Sequence, residues 1–221
     1  MPGAELDGSD LRIDVVQEFD TATAARVYER YRDAFAPMMT VAAARHMLSV
    51  EEFAAEMADR RIDKYLAYRG GELVGVTTLA TDVHAVPWIE PAFYLHRFAE
   101  VAERGALFYL MFTLVDPQGA THRVFRDMMD VVCRRFVTTR AVVGMDFSEH
   151  NARGAVGKIV RLLPRLYGAA VDEVDVHSYY VLDFSGDGEP VPQVVDRQRY
   201  WIGDFRQVAT SVVPRQRDGG G

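Results

Sequence analysis

The sequence predicts an α/β fold, and three observations lead to this prediction. The segment from Ala106 to Val115 is apolar throughout, which is typical of a strand inside a sheet with cover on both faces. The segment from Thr121 to Phe136 places apolar residues at helical spacing, and Ala141 to Phe147 is again strand-like. These three segments form a strand–helix–strand crossover. A Gly-Gly pair at 70–71 between two strand-like runs adds a hairpin.

The elements before the central strand are expected as follows. Leu11–Val16 is a first strand, and a helix capped by Thr21 runs to Phe35 and stops near the following proline. Ser49 with Glu52 three residues later has the pattern of a capping box, so a short helix begins there. The hairpin and one further helix come next, with the expected bounds Lys64–Tyr68, Leu73–Ala80 and Phe93–Val101.

After the crossover, the sequence predicts one more helix and one more strand. The helix opens at Asn151, carries an apolar stripe as far as Tyr167, and is interrupted or ended near Pro164. The strand covers Val176–Phe184. We divide the chain into a disordered N-terminus (1–10), one domain (11–184), and a linker with a C-terminal extension and disordered end (185–221). The segment Val194–Val208 contains several aromatic residues, and in this interpretation it docks either on the domain formed by residues 11–184 or on another subunit. The second case would make the protein a homodimer.

Composition limits the function classes. Hydrophobic residues make up 49% of the chain, enough to bury a sizeable core. A net charge of -7 with no basic cluster argues against nucleic acid as a partner. The first residues have no basic n-region or apolar h-region, and no apolar run reaches the length of a bilayer span. We therefore expect a cytoplasmic protein without a membrane partner. The histidines lack metal-ligand spacing and Cys partners, so no metal is expected.

The turn between the central strand and the next helix is the place to look for a ligand. Free backbone N–H groups and the positive end of a helix dipole meet there, so this turn can hold an anion such as a phosphate.

The order of elements over residues 11–184 resembles the GNAT superfamily of N-acetyltransferases. The resemblance implies a mixed, splayed β-sheet with helices on both faces and an acyl-CoA thioester in the gap between the central strand and the next one. Backbone groups of Leu114 and Val115 would pair with the pantetheine arm and the acyl carbonyl. The pyrophosphate would lie on the turn that follows, and an asparagine would open the next helix. The implied donor-binding residues are Gln118, Gly119, Ala120, Thr121, His122, Arg123 and Asn151.

The pyrophosphate turn departs from the family pattern. The family has Gln/Arg-x-x-Gly-x-Gly/Ala, and Gln118 fits this pattern, but Thr121 and Arg123 replace the two glycines. Glycine lets the backbone approach the phosphate closely, and side chains in its place can block that approach. Thr121 can still donate its hydroxyl, and Arg123 can pair with a phosphate bidentately.

Four residues are candidates for the acid–base steps of acyl transfer. The resemblance assigns the acid that protonates the leaving thiolate to Tyr167, whose alternative is to close the apolar stripe of its helix. Glu149 and His150 follow the second strand of the crossover, and histidine is the natural base near neutral pH. Glu90 lies in a loop that lines the acceptor pocket in this fold. The alternative for each of these three is an ordinary solvated side chain.

The resemblance therefore implies transfer of an acyl group from acetyl-CoA or a longer acyl-CoA to an amine of a small molecule, by direct attack. The strand Leu107–Val115 is almost entirely apolar, which favours an acyl group larger than acetyl. Two alternatives stay open. One is a biosynthetic enzyme that takes its thioester from an acyl carrier protein, for acyl transfer or decarboxylation. The other is a non-catalytic binding module of the same fold.

Overall fold

The computed structural model describes residues 11–43, 47–116 and 121–181, without the side chains of Thr121 and Ala155. The chain divides into two units, Met1–His177 and Ser178–Gly221. In the second unit, residues 178–181 are described, and they form neither helix nor strand. All elements given below belong to the first unit.

A mixed sheet of five strands forms the centre of the first unit, in chain order from one edge to the other. The first four strands pair antiparallel, and the last pair is parallel. The prediction of a mixed sheet is confirmed. The strands are β1 (Leu11–Val16), β2 (Ile62–Arg69), β3 (Glu72–Ala80), β4 (Leu107–Val115) and β5 (Val142–Gly144).

Seven α-helices surround this sheet within the described ranges. A short 3₁₀ turn follows α1, and another follows β3. The helices are α1 (Thr21–Phe35), α2 (Val50–Ala58), α3 (Pro91–Arg97), α4 (Ala99–Glu103), α5 (Thr121–Thr139), α6 (Glu149–Arg153) and α7 (Ala155–Tyr167).

Local chemistry sets several of these boundaries. The predicted capping box is confirmed: the Ser49 hydroxyl accepts a hydrogen bond from the Glu52 amide, and the Glu52 carboxylate accepts one from the Ser49 amide. At α1 the cap is Asp20 rather than Thr21, because the Asp20 carboxylate is the group that accepts from the Thr23 amide. The Gly70-Gly71 hairpin is also confirmed, and both glycines have the positive φ (57° and 84°) that a two-residue hairpin turn demands.

Helices cover both faces of the sheet, as predicted. On one face, α1 and α2 bury Val27, Tyr31, Phe53 and Met57 against Leu66, Val76 and Leu114. On the other face, α5 buries Val124, Met128 and Val132 against strand residues that include Tyr65, Leu79 and Phe108. Each such apolar side chain stabilises the fold by roughly 1.5–3 kcal/mol.

An extra residue in β4 changes the direction of its side chains. The β3–β4 pairing shifts between Thr78, which faces Phe112, and Leu79, which faces Leu110, so Met111 is the additional residue. Met111 and Phe112 consequently both pack on the α1–α2 side of the sheet. A bulge of this kind bends a strand and disturbs the ladder next to it.

Four sequence predictions need correction. The helix predicted over Phe93–Val101 is two short helices, α3 and α4. β5 covers only Val142–Gly144 of the strand predicted to reach Phe147, because the chain leaves β4 after three paired residues. The helix predicted from Asn151 begins at Glu149 and breaks at Gly154.

The fourth correction concerns the strand predicted over Val176–Phe184. Its described part, 176–181, is not a strand, and residues 182–184 lie outside the described ranges. A segment forms a β-strand only when a neighbouring strand pairs with it through hydrogen bonds, and the residue pattern of the segment does not show whether such a neighbour is present. Among the described helices, none is long and apolar enough to cross a membrane.

Candidate active site

The parallel pair β4–β5 separates after a short paired stretch. The last paired residues are Tyr109 in β4 and Gly144 in β5, but β4 continues to Val115. On its other side β4 stays paired with β3 through Val115. The edge of β4 that faces β5 is therefore left without a strand partner in the described part of the chain beyond Tyr109. Backbone groups along such an edge are available to a ligand.

A polar cluster lies at the point where the two strands separate. The Tyr109 hydroxyl donates a 2.7 Å hydrogen bond to Asp146 Oδ1, and the Trp88 indole N–H donates to the same oxygen at 3.0 Å. Tyr109 is 1% exposed, whereas Asp146 and Trp88 reach the surface. The three residues join β4, the chain after β5 and the loop that follows β3.

Gly144 makes room for this cluster. A Cβ atom at position 144 would lie 2.5 Å from Cδ2 of Tyr109 and 3.1 Å from Cε1 of Tyr94. The Tyr94 and Tyr109 rings meet edge to face, with centroids 5.8 Å apart. The ring of Tyr109 therefore lies directly over the last residue of β5, where only glycine fits without a shift.

The tyrosines of the cluster keep their protons. Burial raises the pKa of the Tyr109 hydroxyl far above its usual value, and the negative charge of Asp146 raises it further. Burial also raises the pKa of Tyr94. Both hydroxyls are therefore neutral at physiological pH, and the Tyr109 hydroxyl donates to Asp146.

At the far end of β4, the chain leads into the start of α5. The Asp116 amide donates to the Val74 carbonyl at 2.9 Å, which holds this end of β4 against β3. His122 and Arg123 lie exposed in the first turn of α5, a helix of 19 residues. Three of the predicted phosphate-turn residues, Gln118, Gly119 and Ala120, lie outside the described residues, and so does the Thr121 side chain.

The two predicted backbone ligands on β4 lie next to this helix start. Leu114 is 6% exposed, because its side chain packs in the α1–α2 core. Val115 is half-buried on the α5 side. Their backbone hydrogen bonding to a thioester remains a prediction.

A shallow pocket of about 520 Å³ brings two of the predicted catalytic residues together. Glu149 and His150 line it with Val41, Arg153 and Gly154. Ser148 caps α6, because its hydroxyl accepts from the Asn151 amide at 3.3 Å.

The two titratable residues of this pocket differ in their partners. Glu149 forms an ion pair with Arg153 at 2.7 Å, and both side chains are exposed. His150 makes no hydrogen bond with the part of the chain that the structure describes. Of the two, His150 is the one without a hydrogen-bond partner among the described residues.

The other two catalytic candidates lie elsewhere. The Tyr167 hydroxyl donates a 3.0 Å hydrogen bond to Asp130 on α5. Burial raises the pKa of Tyr167 to about 12, and the hydrogen bond to Asp130 adds to the effect. Glu90 caps α3 by accepting from the Ala92 amide at 3.0 Å. Tyr167 is the last residue of α7, whose first residue, Ala155, follows the pocket residue Gly154. At a rise of 1.5 Å per residue, Tyr167 therefore lies roughly 18 Å along the helix axis from that first residue.

Sequence analysis missed Asp146, Trp88 and Tyr109 as a group. A signal was present, since Asp146 comes two residues after the end of a strand that is parallel to its neighbour, and ligands bind outside such strand ends. Among the described residues, no group of three or more His, Cys, Asp or Glu side chains is arranged to hold a metal ion.

Solved structures similar to this chain were found, all at low sequence identity. No protein-family profile matches the chain, and no curated protein sequence does. An aminoglycoside acetyltransferase from an uncultured soil metagenomic sample, in complex with trehalose, is 13% identical, with 80% of this chain and 99% of that chain covered and a TM-score of 0.48.

Two further structures are similar to this chain. The aminoglycoside N-acetyltransferase AAC(6')-Iy in complex with CoA is 11% identical, with 77% of this chain and 95% of that chain covered and a TM-score of 0.45. The ribosomal-protein-alanine N-acetyltransferase from Brucella melitensis biovar Abortus 2308 is 15% identical, with 79% and 99% covered and a TM-score of 0.40.

The fold is an α/β arrangement with a mixed sheet and helices on both of its faces. The mixed sheet, the crossover between β4 and β5 and the helices on both faces agree with the sequence prediction.

Proposed function

We propose that this chain is an N-acyltransferase that moves an acyl group from acyl-CoA to an amine of a small molecule. The observation that carries the proposal is the gap beyond Tyr109 and Gly144, where β4 stays paired with β3 but has no described strand partner on its β5 side. The chain then leads to the start of a long helix. A strand edge binds the amide groups of a pantetheine arm as it would bind another strand. The helix start attracts the pyrophosphate through its free N–H groups and its dipole.

The reaction is a direct attack in a ternary complex. The neutral amine nitrogen attacks the thioester carbonyl carbon, and its lone pair forms the new C–N bond. A backbone N–H of β4 at Val115 stabilises the negative charge that develops on the carbonyl oxygen. The C–S bond then breaks, the nitrogen loses a proton to a base, and the thiolate gains one from an acid. The products are an amide and free CoA.

His150 is the residue that we favour as the base. A protonated amine does not attack, and an imidazole titrates close to neutral pH. The Glu149 carboxylate already forms an ion pair with Arg153, and the Glu90 carboxylate already accepts the hydrogen bond that caps α3. Both carboxylates remain candidates, but each loses a local structural contact when it accepts a proton.

Tyr167 is the candidate acid, and its geometry supports the role only in part. A hydroxyl whose pKa is about 12 is protonated at neutral pH and so has a proton to give. Its proton points to Asp130 in this structure, however, and donation to a thiolate requires the hydroxyl to rotate away from that carboxylate.

A second candidate is acyl transfer from an acyl carrier protein. The observation that favours it is the first turn of α5, where the side chain of Arg123 stands in place of a family glycine. A pantetheine carried by a protein lacks the adenosine pyrophosphate that those glycines accommodate.

A thermal-shift titration tests the donor site. Free CoA, acetyl-CoA and octanoyl-CoA should each raise the melting temperature with concentration if the native state binds them. We expect the double variant Gln118→Ala/Arg123→Ala to bind these ligands about 10- to 100-fold more weakly, because it loses one or two charge-assisted hydrogen bonds to the donor. Arg134→Ala, an exposed change further along α5, is the matched control and should bind them as the wild type does.

Three results would contradict the proposal or part of it. If no CoA ligand shifts the melting temperature, but S-acetylpantetheine or an acylated carrier protein does, the donor is protein-bound. If no thioester binds at all, the fold serves as a non-catalytic binding module. If the double variant lowers the melting temperature without ligand as much as it weakens binding, the turn has a structural role.

A further inference from the structure

The carboxylate of Asp146 has a fixed position and an uncompensated charge. Both of its hydrogen bonds, from Tyr109 and Trp88, come from neutral groups and end on the same oxygen, Oδ1. No Arg, Lys or His of the described ranges forms an ion pair with it. Arg97, at the end of α3, is paired with Asp172 at 2.9 Å. The second oxygen of Asp146 therefore remains available on an exposed side chain.

Two aromatic residues, Trp88 and Tyr109, hold this carboxylate, and further aromatic side chains near them in the chain or in ring contact reach the surface. Trp88 is 44% exposed, Phe93 39% and Phe147 36%. The Phe93 and Tyr94 rings meet edge to face at 5.3 Å, and the Trp88 and Tyr109 rings do so at 6.5 Å. Aromatic faces attract ammonium groups, and most strongly where a carboxylate is close.

A second carboxylate adds to the negative potential. Burial raises the pKa of the Tyr94 hydroxyl, and the negative charges of Asp146 and Asp175 both raise it further. Asp175 is exposed, and within the described ranges it forms no ion pair. With a net charge of -7 for the whole chain, this surface attracts cations from solution.

We propose that Asp146 binds a second, non-reacting ammonium group of the acceptor, so that the acceptor is a diamine or polyamine rather than a monoamine. The inference rests on the proposed function, because the site lies where the gap between β4 and β5 begins. A carboxylate favours the protonated form of an amine beside it, and a protonated amine does not attack a thioester. The nitrogen at Asp146 is accordingly the one that does not react.

Calorimetry with two probes tests this inference. We expect 1,4-diaminobutane to bind the wild-type chain about tenfold more tightly than butylamine, which has a single ammonium group, since a charge-assisted contact is worth about one factor of ten or more. Asp146→Asn should remove this preference. The variant keeps an amide oxygen for the Tyr109 and Trp88 hydrogen bonds, so the melting temperature should stay close to that of the wild type.

Asp33→Asn is the control, because Asp33 is an exposed residue of α1 paired with its neighbour Arg32. This variant should keep the full preference for the diamine. Equal affinity for the two probes, no measurable binding of the diamine, or an unchanged preference in Asp146→Asn would each overturn the inference.

The donor titration separates this inference from the proposed function. Asp146→Asn should bind acyl-CoA as the wild type does, because the donor's phosphates lie at the other end of β4. Diamine binding without any thioester binding would leave a cation site on a chain that does not use acyl-CoA. Thioester binding without diamine preference would keep the acyltransferase and remove the polyamine acceptor.

Discussion

Asp63 and Asp146 each belong to a hydrogen-bonded group that includes a tyrosine, but the two carboxylates are held by different partners. Asp63, in β2, is 6% exposed and forms a 2.6 Å ion pair with Arg135 of α5. The same guanidinium donates to the Tyr65 hydroxyl at 2.7 Å. Asp146 is exposed and receives only neutral donors. One charge is balanced within the fold, and the other is not.

The difference indicates which carboxylate is structural. A buried ion needs a partner charge, so Asp63 without Arg135 would be strongly unfavourable in the folded state. An exposed carboxylate keeps part of its hydration and tolerates an unbalanced charge, which a cationic ligand can then neutralise. The contrast between the two groups leads to three predictions, given from the largest expected effect to the smallest.

Arg135→Ala should have the largest effect. It leaves the Asp63 carboxylate buried without its cation, and we expect the free energy of unfolding to fall by about 2 to 4 kcal/mol, because removal of one partner of a buried pair is much more costly than the pair is worth. Urea denaturation measures the change. Arg134→Ala, next to it in the sequence, removes an exposed pair with Asp130 and should change stability by less than about 0.5 kcal/mol.

The double variant Arg135→Ala/Asp63→Asn sharpens this test. Replacement of the unpaired Asp63 carboxylate by a neutral amide should restore part of the lost stability. If the double variant is no more stable than Arg135→Ala alone, packing of the long Arg135 side chain over the Phe108 ring, 5.1 Å away, is the main contribution instead.

A third carboxylate extends the comparison to the other face of the sheet. Glu56 of α2 is 8% exposed, and its Oε1 has no hydrogen-bond partner among the described residues. Lys64, the neighbour of Asp63 in β2, donates instead to the backbone carbonyls of Gln17 and Asp59, both at 2.7 Å. Burial raises the pKa of Glu56 to about 7, against a smaller opposing effect of the Lys64 charge, and burial lowers the pKa of Lys64 to about 8.

Glu56→Gln should therefore change how stability depends on pH. The folded chain binds the Glu56 proton more tightly than the unfolded chain, whose pKa is near 4.5, so this stabilisation is complete below pH 4.5 and is lost as the pH rises through about 7. A pKa difference of this size corresponds to roughly 3 kcal/mol at most. We expect the wild type to lose stability relative to Glu56→Gln between pH 4.5 and 7, measured by urea denaturation at several pH values.

The control for this pH profile is Glu51→Gln in the exposed first turn of α2, which should follow the wild-type curve within experimental error. A constant difference between wild type and Glu56→Gln across this pH range would contradict the buried-proton explanation. Lys64 titrates in the opposite direction: its depressed pKa contributes stability above about pH 10.5 that is lost as the pH falls through about 8.

Gly144→Ala should have the smallest effect on stability and acts on the Asp146 group. The added methyl group meets the Tyr109 ring and forces it away from β5, which should cost about 1 to 2 kcal/mol through overpacking. Because Tyr109 then no longer holds Asp146 in place, the preference for 1,4-diaminobutane should weaken. In a Tyr109→Leu background the same methyl group should cost less, and an equal cost there would mean that the ring is not the obstacle.

Local patterns were predicted well wherever neighbouring residues decide the conformation. The Gly70-Gly71 turn, the Ser49–Glu52 capping box and the apolar central strand all depend on contacts within a few residues along the chain. The order of the strands and helices from β1 to β5 followed largely from those patterns. The length of β5 could not be predicted, because it depends on where the chain separates from β4.

The candidate site likewise contains residues that the sequence indicated and residues that it did not. Glu149 and His150 were proposed because they follow a strand; the structure places both in one pocket, and their catalytic role stays a prediction. Asp146 was missed because its partners Trp88 and Tyr109 are distant in sequence, and three isolated residues carry no pattern. Tyr167 fits the apolar stripe of its helix, and nothing in that stripe indicates the hydrogen bond to Asp130.

The sequence by itself determined most of the helices and strands, the capping box of α2, the Gly70-Gly71 turn, and the crossover that makes β4 and β5 parallel, since each depends on local backbone preferences and on hydrophobic periodicity. The tertiary structure alone decided where β4 and β5 separate, which carboxylates are neutralised, and which one faces solvent with only neutral donors. Those properties depend on distances between residues far apart in the chain, and electrostatic balance and burial are functions of such distances.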